Sequence, residues 1–217
     1  MKILNLYACL GGNRYKWGDE HDITSVELDE ELAMLYQERF PNDTVIVTDA
    51  HQYLLNNYKE FDFIWTSPPC PTHSRARGWN TKFKTKYPDM KLYEEIILLE
   101  TVSKGINPRF KGKYVVENVI PYYEPLIAAQ KRHRHLYWCN FILPNILSYR
   151  EQAKISSGKN EVKKLCEFHD YDFYKYKGNQ PTNKIARNLV DYEAGKTILD
   201  TAMGIIQKKD SNQKVLF

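Results

Sequence analysis

Cys70 stands in Thr66-Ser67-Pro68-Pro69-Cys70, directly after the apolar run Phe61-Asp62-Phe63-Ile64-Trp65. A thiol on a stiff diproline turn where a strand ends is placed for nucleophilic work, because a thiolate forms covalent intermediates that a hydroxyl reaches only with the help of a base. The same residue also reads as a small buried hydrophobe, and Pro-Pro-Cys alone does not separate the two. A second apolar strand, Val115-Val116-Glu117-Asn118-Val119, ends in a polar pair and offers a carboxyl. In open parallel sheets ligands sit beyond the carboxyl ends of the strands, so Cys70 and Glu117 are expected to converge there.

The elements that must position them follow from hydrophobic patterning. Ile3–Ala8 reads as a buried strand running into Cys9-Leu10-Gly11-Gly12-Asn13, a turn whose glycines let backbone amides approach a ligand. Strands are expected at Ile23–Val26, Thr44–Val47, Phe61–Thr66 and Lys113–Glu117, and an aromatic one at His135–Phe141. Helical spacing marks Glu30–Phe40, Tyr53–Tyr58, Leu92–Lys104, a short stretch after Pro125, and Leu189–Ile206. Alternating strands and helices mean a parallel sheet covered on both faces. Residues 144–183 are polar and rich in Lys and Tyr, and read as an insertion outside the core; 207–214 reads as a polar tail. Glu27 ends the second strand, where a carboxylate accepts from ribose hydroxyls in nucleotide folds. Asp29 is read as the N-cap of the helix that follows.

Length and composition bound the rest. A chain of 217 residues suits one α/β domain with little room for a second. The net charge of +4, from 31 Lys and Arg against 27 Asp and Glu, permits a nucleic-acid partner without demanding one. The loop after Cys70 carries Arg75, Arg77, Lys82, Lys84, Lys86 and Lys91 against one acid, Asp89, which suits phosphate contact as well as an ordinary solvated loop. The four cysteines form no Cys-x-x-Cys pair and no apolar leader precedes Ile3, so a reducing cytoplasm is expected. Cys166 and His169 supply one half of a zinc site without a second, and no metal is expected. No run approaches the ~20 apolar residues of a membrane helix.

Ser67-Pro68-Pro69-Cys70, Glu117-Asn118-Val119 and Gln130-x-Arg132-x-Arg134 occur in the order and rough spacing of the DNA cytosine carbon-5 methyltransferases, and Leu6-Tyr7-Ala8-Cys9-Leu10-Gly11-Gly12 resembles their cofactor turn. The resemblance covers about residues 3–141, with Arg187-Asn188-Leu189 and Glu193 reminiscent of the family's next motif. It implies a Rossmann-like α/β fold dependent on S-adenosylmethionine, of the small phage or bacterial type. The division it implies is 1–143 for catalysis and cofactor, 144–185 as a short target-recognition insertion, and 186–217 as a returning helix with a tail.

By the same resemblance Cys70 would attack carbon 6 of a cytosine, so that carbon 5 can take a methyl group. Glu117 would supply a proton or hydrogen bond at ring nitrogen 3, which requires a partly protonated carboxyl. Arg134 would hold oxygen 2, with Arg132 positioning the base or a flanking phosphate; the two alternate in what reads as one extended segment and so share a face, as a solvated charge stripe also would. Tyr7, Leu10, Gly11 and Gly12 would line the methionine end of the cofactor, Glu27 would take the ribose and Asp49 the adenine amine, with Leu28 and Pro68 also contacting the cofactor. Ser74, Arg75 and Arg77 would meet DNA on a lid at 71–87, because the target carbon is reached only in a flipped or unpaired nucleotide. Tyr171, Tyr174 and Tyr176 would grip the strand by stacking, with a short or relaxed sequence preference.

Departures from the family pattern are Asn5 for Asp, Cys9 for Gly, and Pro71 for the Gln after the nucleophile. The family's closing Gly-Asn segment, which completes the cofactor pocket, is not recognised, so three readings stand open: an open pocket, a second chain or protomer that supplies the missing piece, or a truncated reading frame. The alternatives are an RNA cytosine methyltransferase, whose Cys-Phe-Thr element is not found, and a partner-dependent subunit that binds DNA and cofactor.

Overall fold

The computed structural model describes residues 1–75, 86–103, 110–148, 150 and 160–205. Strand β1 (Lys2–Leu6) is buried at every position after Lys2, because side chains alternate across a sheet that is covered on both sides. Its neighbours are β2 (Asp22–Glu27), β3 (Thr44–Val47), β4 (Phe63–Thr66) and β5 (Lys113–Val119), all parallel, followed by the hairpin β6 (Gln130–Arg132) and β7 (His135–Cys139). The spatial order is β3-β2-β1-β4-β5-β7-β6, with β7 antiparallel to β5. The chain therefore has the Rossmann-like α/β methyltransferase fold that the resemblance implies.

The helices are α1 (Glu30–Arg39), α2 (Ala50–Asn57), α3 (Lys91–Ser103), α4 (Glu161–His169), α5 (Thr182–Asn188) and α6 (Tyr192–Ala202). On one face Leu4, Ile64, Val116, Leu136 and Trp138 pack with Leu54 of α2 and Tyr93, Ile96 and Leu99 of α3. On the other, Ile3, Phe63, Trp65, Val115 and Tyr137 pack with Ile198 and Leu199 of α6 and with Leu143 and Leu147. Asp29 caps α1, accepting from the amides of Glu31 and Leu32 at 3.1 Å.

Four details differ from the sequence expectations. Glu117 lies inside β5, not at its end, because antiparallel pairing with β7 extends the ladder to Val119. Arg132 and Arg134 do not alternate along one strand, since His133, at φ 49°, turns the chain between β6 and β7. The stretch after Pro125 contains no helix. Residues 160–189 are not an appendage: Leu165, Phe173, Tyr176 and Ile185 are buried against Leu10, Leu32 and Leu35, forming a layer over α1 and the cofactor turn. The stripe was present in the sequence, since Val162, Leu165, Cys166 and His169 of α4 fall at i, i+3, i+4 and i+7, but it lies among lysines in a segment read as a polar insertion.

Candidate active site

The loop that carries Cys70 leaves β4 at Thr66 and is tied to the next strand, because Asn118 Nδ2 donates to the Pro68 carbonyl at 2.9 Å. The Cys70 carbonyl accepts from the amides of His73 and Ser74, both at 3.0 Å, which closes the turn. Beyond it the chain is stapled to the segment after β5. Ser74 bridges Pro121, Arg75 Nε donates to the Pro121 carbonyl at 3.0 Å, and His73 Nδ1 lies 2.5 Å from the Tyr123 hydroxyl. The expected lid is thus anchored as far as Arg75; Arg77 lies outside the described residues.

A cavity of about 610 Å³ brings together Cys70, Glu117, Arg132, Arg134, Tyr7, Gly12, Glu27 and Pro68. Burial, then the Glu117 charge, pushes the Cys70 thiol up, while Lys184 of α5 acts in the opposite direction. Glu117 is buried, and its Oε1 lies 3.5 Å from His135 Nε2. Its register partner on β7 is Tyr137, whose hydroxyl burial and the Glu117 charge keep well above its ordinary range. Arg132 spends its guanidinium on the carbonyls of Lys131, Leu143 and Pro144, so it braces the cavity wall. Arg134 is exposed in the hairpin turn, and its carbonyl accepts from the Ile120 amide at 3.2 Å.

The cofactor turn winds through left-handed backbone at Tyr7, Cys9 and Gly11 (φ 56°, 47° and 67°). Cys9 holds such a conformation against its Cβ because its amide donates to Glu27 Oε2 at 2.8 Å. Glu27 Oε1 accepts from the amides of Leu28 and Asp29 at 2.9 and 3.0 Å. A carboxylate has about four acceptor sites; three are filled, leaving capacity for a ribose hydroxyl. Burial pushes this carboxyl up against the three amides that pull it down. Leu10 is fully buried behind the turn, and at Gly11 a Cβ would meet Phe40 Cε2 at 2.4 Å, so both shape the turn without lining the cavity. Leu28 is 67% exposed at the rim. Asp49 also lies outside the cavity, as the N-cap of α2 with Lys91 at 3.5 Å.

The segment between α5 and α6 lies against this turn, within the stretch 186–217 read from the sequence as a returning helix. Asn188, Leu189, Val190 and Asp191 line the cavity, and a Cβ on Gly12 would meet the Val190 carbonyl at 2.3 Å. Trp17 Nε1 donates to the Gly195 carbonyl at 3.0 Å, docking α6 behind it. The turn, the free acceptor capacity of Glu27 and the cavity volume fit a nucleoside of S-adenosylmethionine size.

Beneath Tyr7 lies a group the sequence reading missed. Glu95 of α3, 1% exposed, accepts from the Tyr7 hydroxyl at 2.6 Å and the Thr66 hydroxyl at 2.6 Å, and meets His51 Nδ1 at 3.0 Å. Its place between Leu92 and Leu99 on the buried stripe was the available signal. The tyrosines proposed for stacking divide: Tyr176 is buried and donates to Asp29 at 2.9 Å, Tyr171 lies under Arg39, and Tyr174 is exposed. Among the described residues no group of three His, Cys, Asp or Glu side chains is placed to hold a metal, and no helix is long and apolar enough to cross a membrane.

Residues 1–106 match the family model described as C-5 cytosine-specific DNA methylase. No curated protein sequence matches the chain. Among solved structures, a DNMT2 mutant of Spodoptera frugiperda is 22% identical over 54% of this chain and 35% of its own, with a TM-score of 0.36. This chain thus spans about a third of that protein. A hypothetical protein of Thermus thermophilus is 16% identical over 64% of this chain and 73% of its own, TM-score 0.42. A putative methyltransferase of Escherichia coli is 14% identical with the same coverage, TM-score 0.39.

Proposed function

We propose that this chain, which carries a C-5 cytosine-specific DNA methylase domain in residues 1–106, transfers a methyl group to carbon 5 of cytosine in DNA through a covalent bond from Cys70. The observation that carries the reading is the hydrogen bond from Asn118 to Pro68, which fixes the nucleophile loop beside the strand of Glu117 over one cavity shared with the cofactor turn.

S-adenosylmethionine, when bound, supplies the methyl group. Tyr7, Gly12 and Pro68 would line its methionine end and Glu27 would accept from its ribose. Cys70 adds to carbon 6 of an extruded base, and the electron pair of the 5,6 double bond moves into the ring as Glu117 places a proton at nitrogen 3. Burial pushes the thiol up, so the sulfur adds as its proton is given up to water in the cavity. Arg134 in the hairpin turn is free to reach oxygen 2 or a phosphate. Arg75 and the exposed Lys184 supply cationic surface at the mouth. DNA is the partner this reading requires. The return of residues 188–195 to the cofactor turn supports a pocket closed within one chain over a pocket closed by a second protomer. Free thiols at all four cysteines suit a reducing cytoplasm.

The test is intact-mass analysis after mixing the protein and S-adenosylmethionine with duplex DNA containing 5-fluorocytosine, beside Cys70→Ala and beside fluorinated RNA. A stable adduct that needs Cys70 and DNA is the expected result. Adduct on RNA alone would transfer the reading to RNA, and none on either would refute it.

A further inference from the structure

Glu117 is asked to deliver a proton to ring nitrogen 3, so it needs a neighbour that orients its carboxyl and can hand it a proton. The group beside it is an imidazole. His135 opens β7, opposite Val119 of β5 and Arg132 of β6, so it stands on the sheet face that also carries Glu117 and Tyr137. Its Nε2 lies 3.5 Å from Glu117 Oε1, with the two side chains 29% and 11% exposed. Among the described residues no other hydrogen-bond donor or cation reaches that carboxyl. The ring is held edge-on to Tyr137, with centroids 6.4 Å apart and an angle of 69°.

We infer that His135 is a positioning residue that orients the Glu117 carboxyl and stores the proton Glu117 delivers, an assignment that rests on the cytosine chemistry proposed above. The other charged and titratable groups facing the pair do not compete for this role. Arg132 is committed to backbone carbonyls. Arg134 lies in the solvent-exposed turn. Tyr137 lies alongside as a neutral phenol, Asp191 is engaged by Arg150 and Ser148, and Cys70 faces across the cavity. The imidazolium Nε2 passes its proton to Glu117 Oε1, and the carboxyl passes one to ring nitrogen 3 as the sulfur–carbon 6 bond forms. The electron pair leaving the 5,6 double bond ends on nitrogen 3 and takes up that proton. Carbon 5 then takes the methyl group and gives up its hydrogen to water as the sulfur departs, which restores the 5,6 double bond, and nitrogen 3 returns its proton through Glu117 to His135. Two groups coupled in this way titrate together, and the pair stays loaded to higher pH than a carboxyl alone.

The experiment measures the single-turnover rate of adduct formation with 5-fluorocytosine DNA from pH 5.5 to 9, for the parent protein, His135→Asn, Glu117→Gln and the double variant. The alkaline limb of the profile is expected to move to lower pH in His135→Asn. The loss is then larger at pH 7.5 and shrinks towards pH 5.5, with DNA affinity unchanged. Addition of His135→Asn to Glu117→Gln is expected to change nothing further, because the histidine acts through the carboxyl. A loss that is uniform with pH, or effects that multiply in the double variant, would overturn the inference while leaving the cytosine reading intact. Should His135→Asn lose its cooperative thermal transition, His135→Gln, which restores length and one donor, carries the same two criteria. A parent protein that forms no adduct overturns both.

Discussion

The Tyr7 hydroxyl and the Glu95 carboxylate, 88 positions apart, meet at 2.6 Å and join the cofactor turn to α3. Because Thr66 donates to the other oxygen of the same carboxylate, the strand leading into the nucleophile loop is held by it too. Glu95→Gln is expected to weaken binding of S-adenosylhomocysteine by about 5- to 30-fold, on the order of 1–2 kcal/mol, the scale of a charge-assisted hydrogen bond. Calorimetric titration reads this directly, and an unchanged Kd would show the network to be bystander structure.

The same carboxylate gives the fold a pH dependence. His51 is pushed up from its ordinary value near 6.5, chiefly by its hydrogen bond to Glu95. A raised folded-state value means that its stabilisation is complete below about 6.5 and is lost as pH rises through the raised value. The melting temperature of the parent should therefore fall over that window, and His51→Gln should flatten the fall. Parallel curves for the two proteins would contradict this.

Gly195 is where α6 touches the cofactor turn, and a Cβ there would lie 2.3 Å from the Asn13 carbonyl. Gly195→Ala must push backbone against backbone, with an expected cost of about 1–3 kcal/mol of stability. Cofactor affinity should drop with it, read by the same titration. Alkylation of Cys70 should be unaffected at temperatures where the protein stays folded.

Behind the turn, Arg14 and Asp43 form a bidentate pair at 2.9 Å, each side chain 2% exposed, and Tyr36 donates to Asp43 at 2.8 Å. Removing Asp43 leaves the buried guanidinium with only the exposed Asp19 carboxylate at 2.9 Å. Asp43→Ala should cost about 3–5 kcal/mol in urea unfolding, whereas an effect below about 1 kcal/mol would mean that water reaches the guanidinium.

Because burial and Glu117 push the Cys70 thiol up, iodoacetamide should modify it slowly at pH 7 and faster as pH rises. Lys184→Ala should slow it further, since that cation favours the thiolate. Mass mapping separates Cys70 from Cys9 and Cys139, whose thiols burial pushes up to about 12 and about 11.

The sheet was legible because β1, β4 and β5 are parallel strands buried on both faces and read as unbroken apolar runs. Thr44–Val47 was read with the bounds the structure has, and Asp29 as the cap it is. What escaped has physical reasons. A hairpin such as 130–139 has no helix between its strands to mark their ends, so Arg132 and Arg134 read as one extended segment. Glu95 and His51 are meaningful only together, and sequence distance hides the pair. The layer at 160–189 buries its apolar residues against α1, a surface unknown until the chain is folded. Cys70 and Glu117 stood out in the sequence as reactive side chains next to apolar runs, and one cavity brings the two together, with Glu117 inside β5 and not beyond it.

The antiparallel placement of β7 also makes this molecule vulnerable to a fault that no stability assay would catch. A slip of one residue in that strand would set Leu136 or Trp138 beside Glu117 in place of Tyr137, and would turn His135 to the opposite face. Nearly every ladder bond could re-form, giving a chain that is folded and inert. Trp138 guards against the slip, buried on the far face with its indole nitrogen bound to the Ile127 carbonyl at 2.9 Å. That indole, fixed on one face, holds the register on which the pairing of Glu117 with Tyr137 depends.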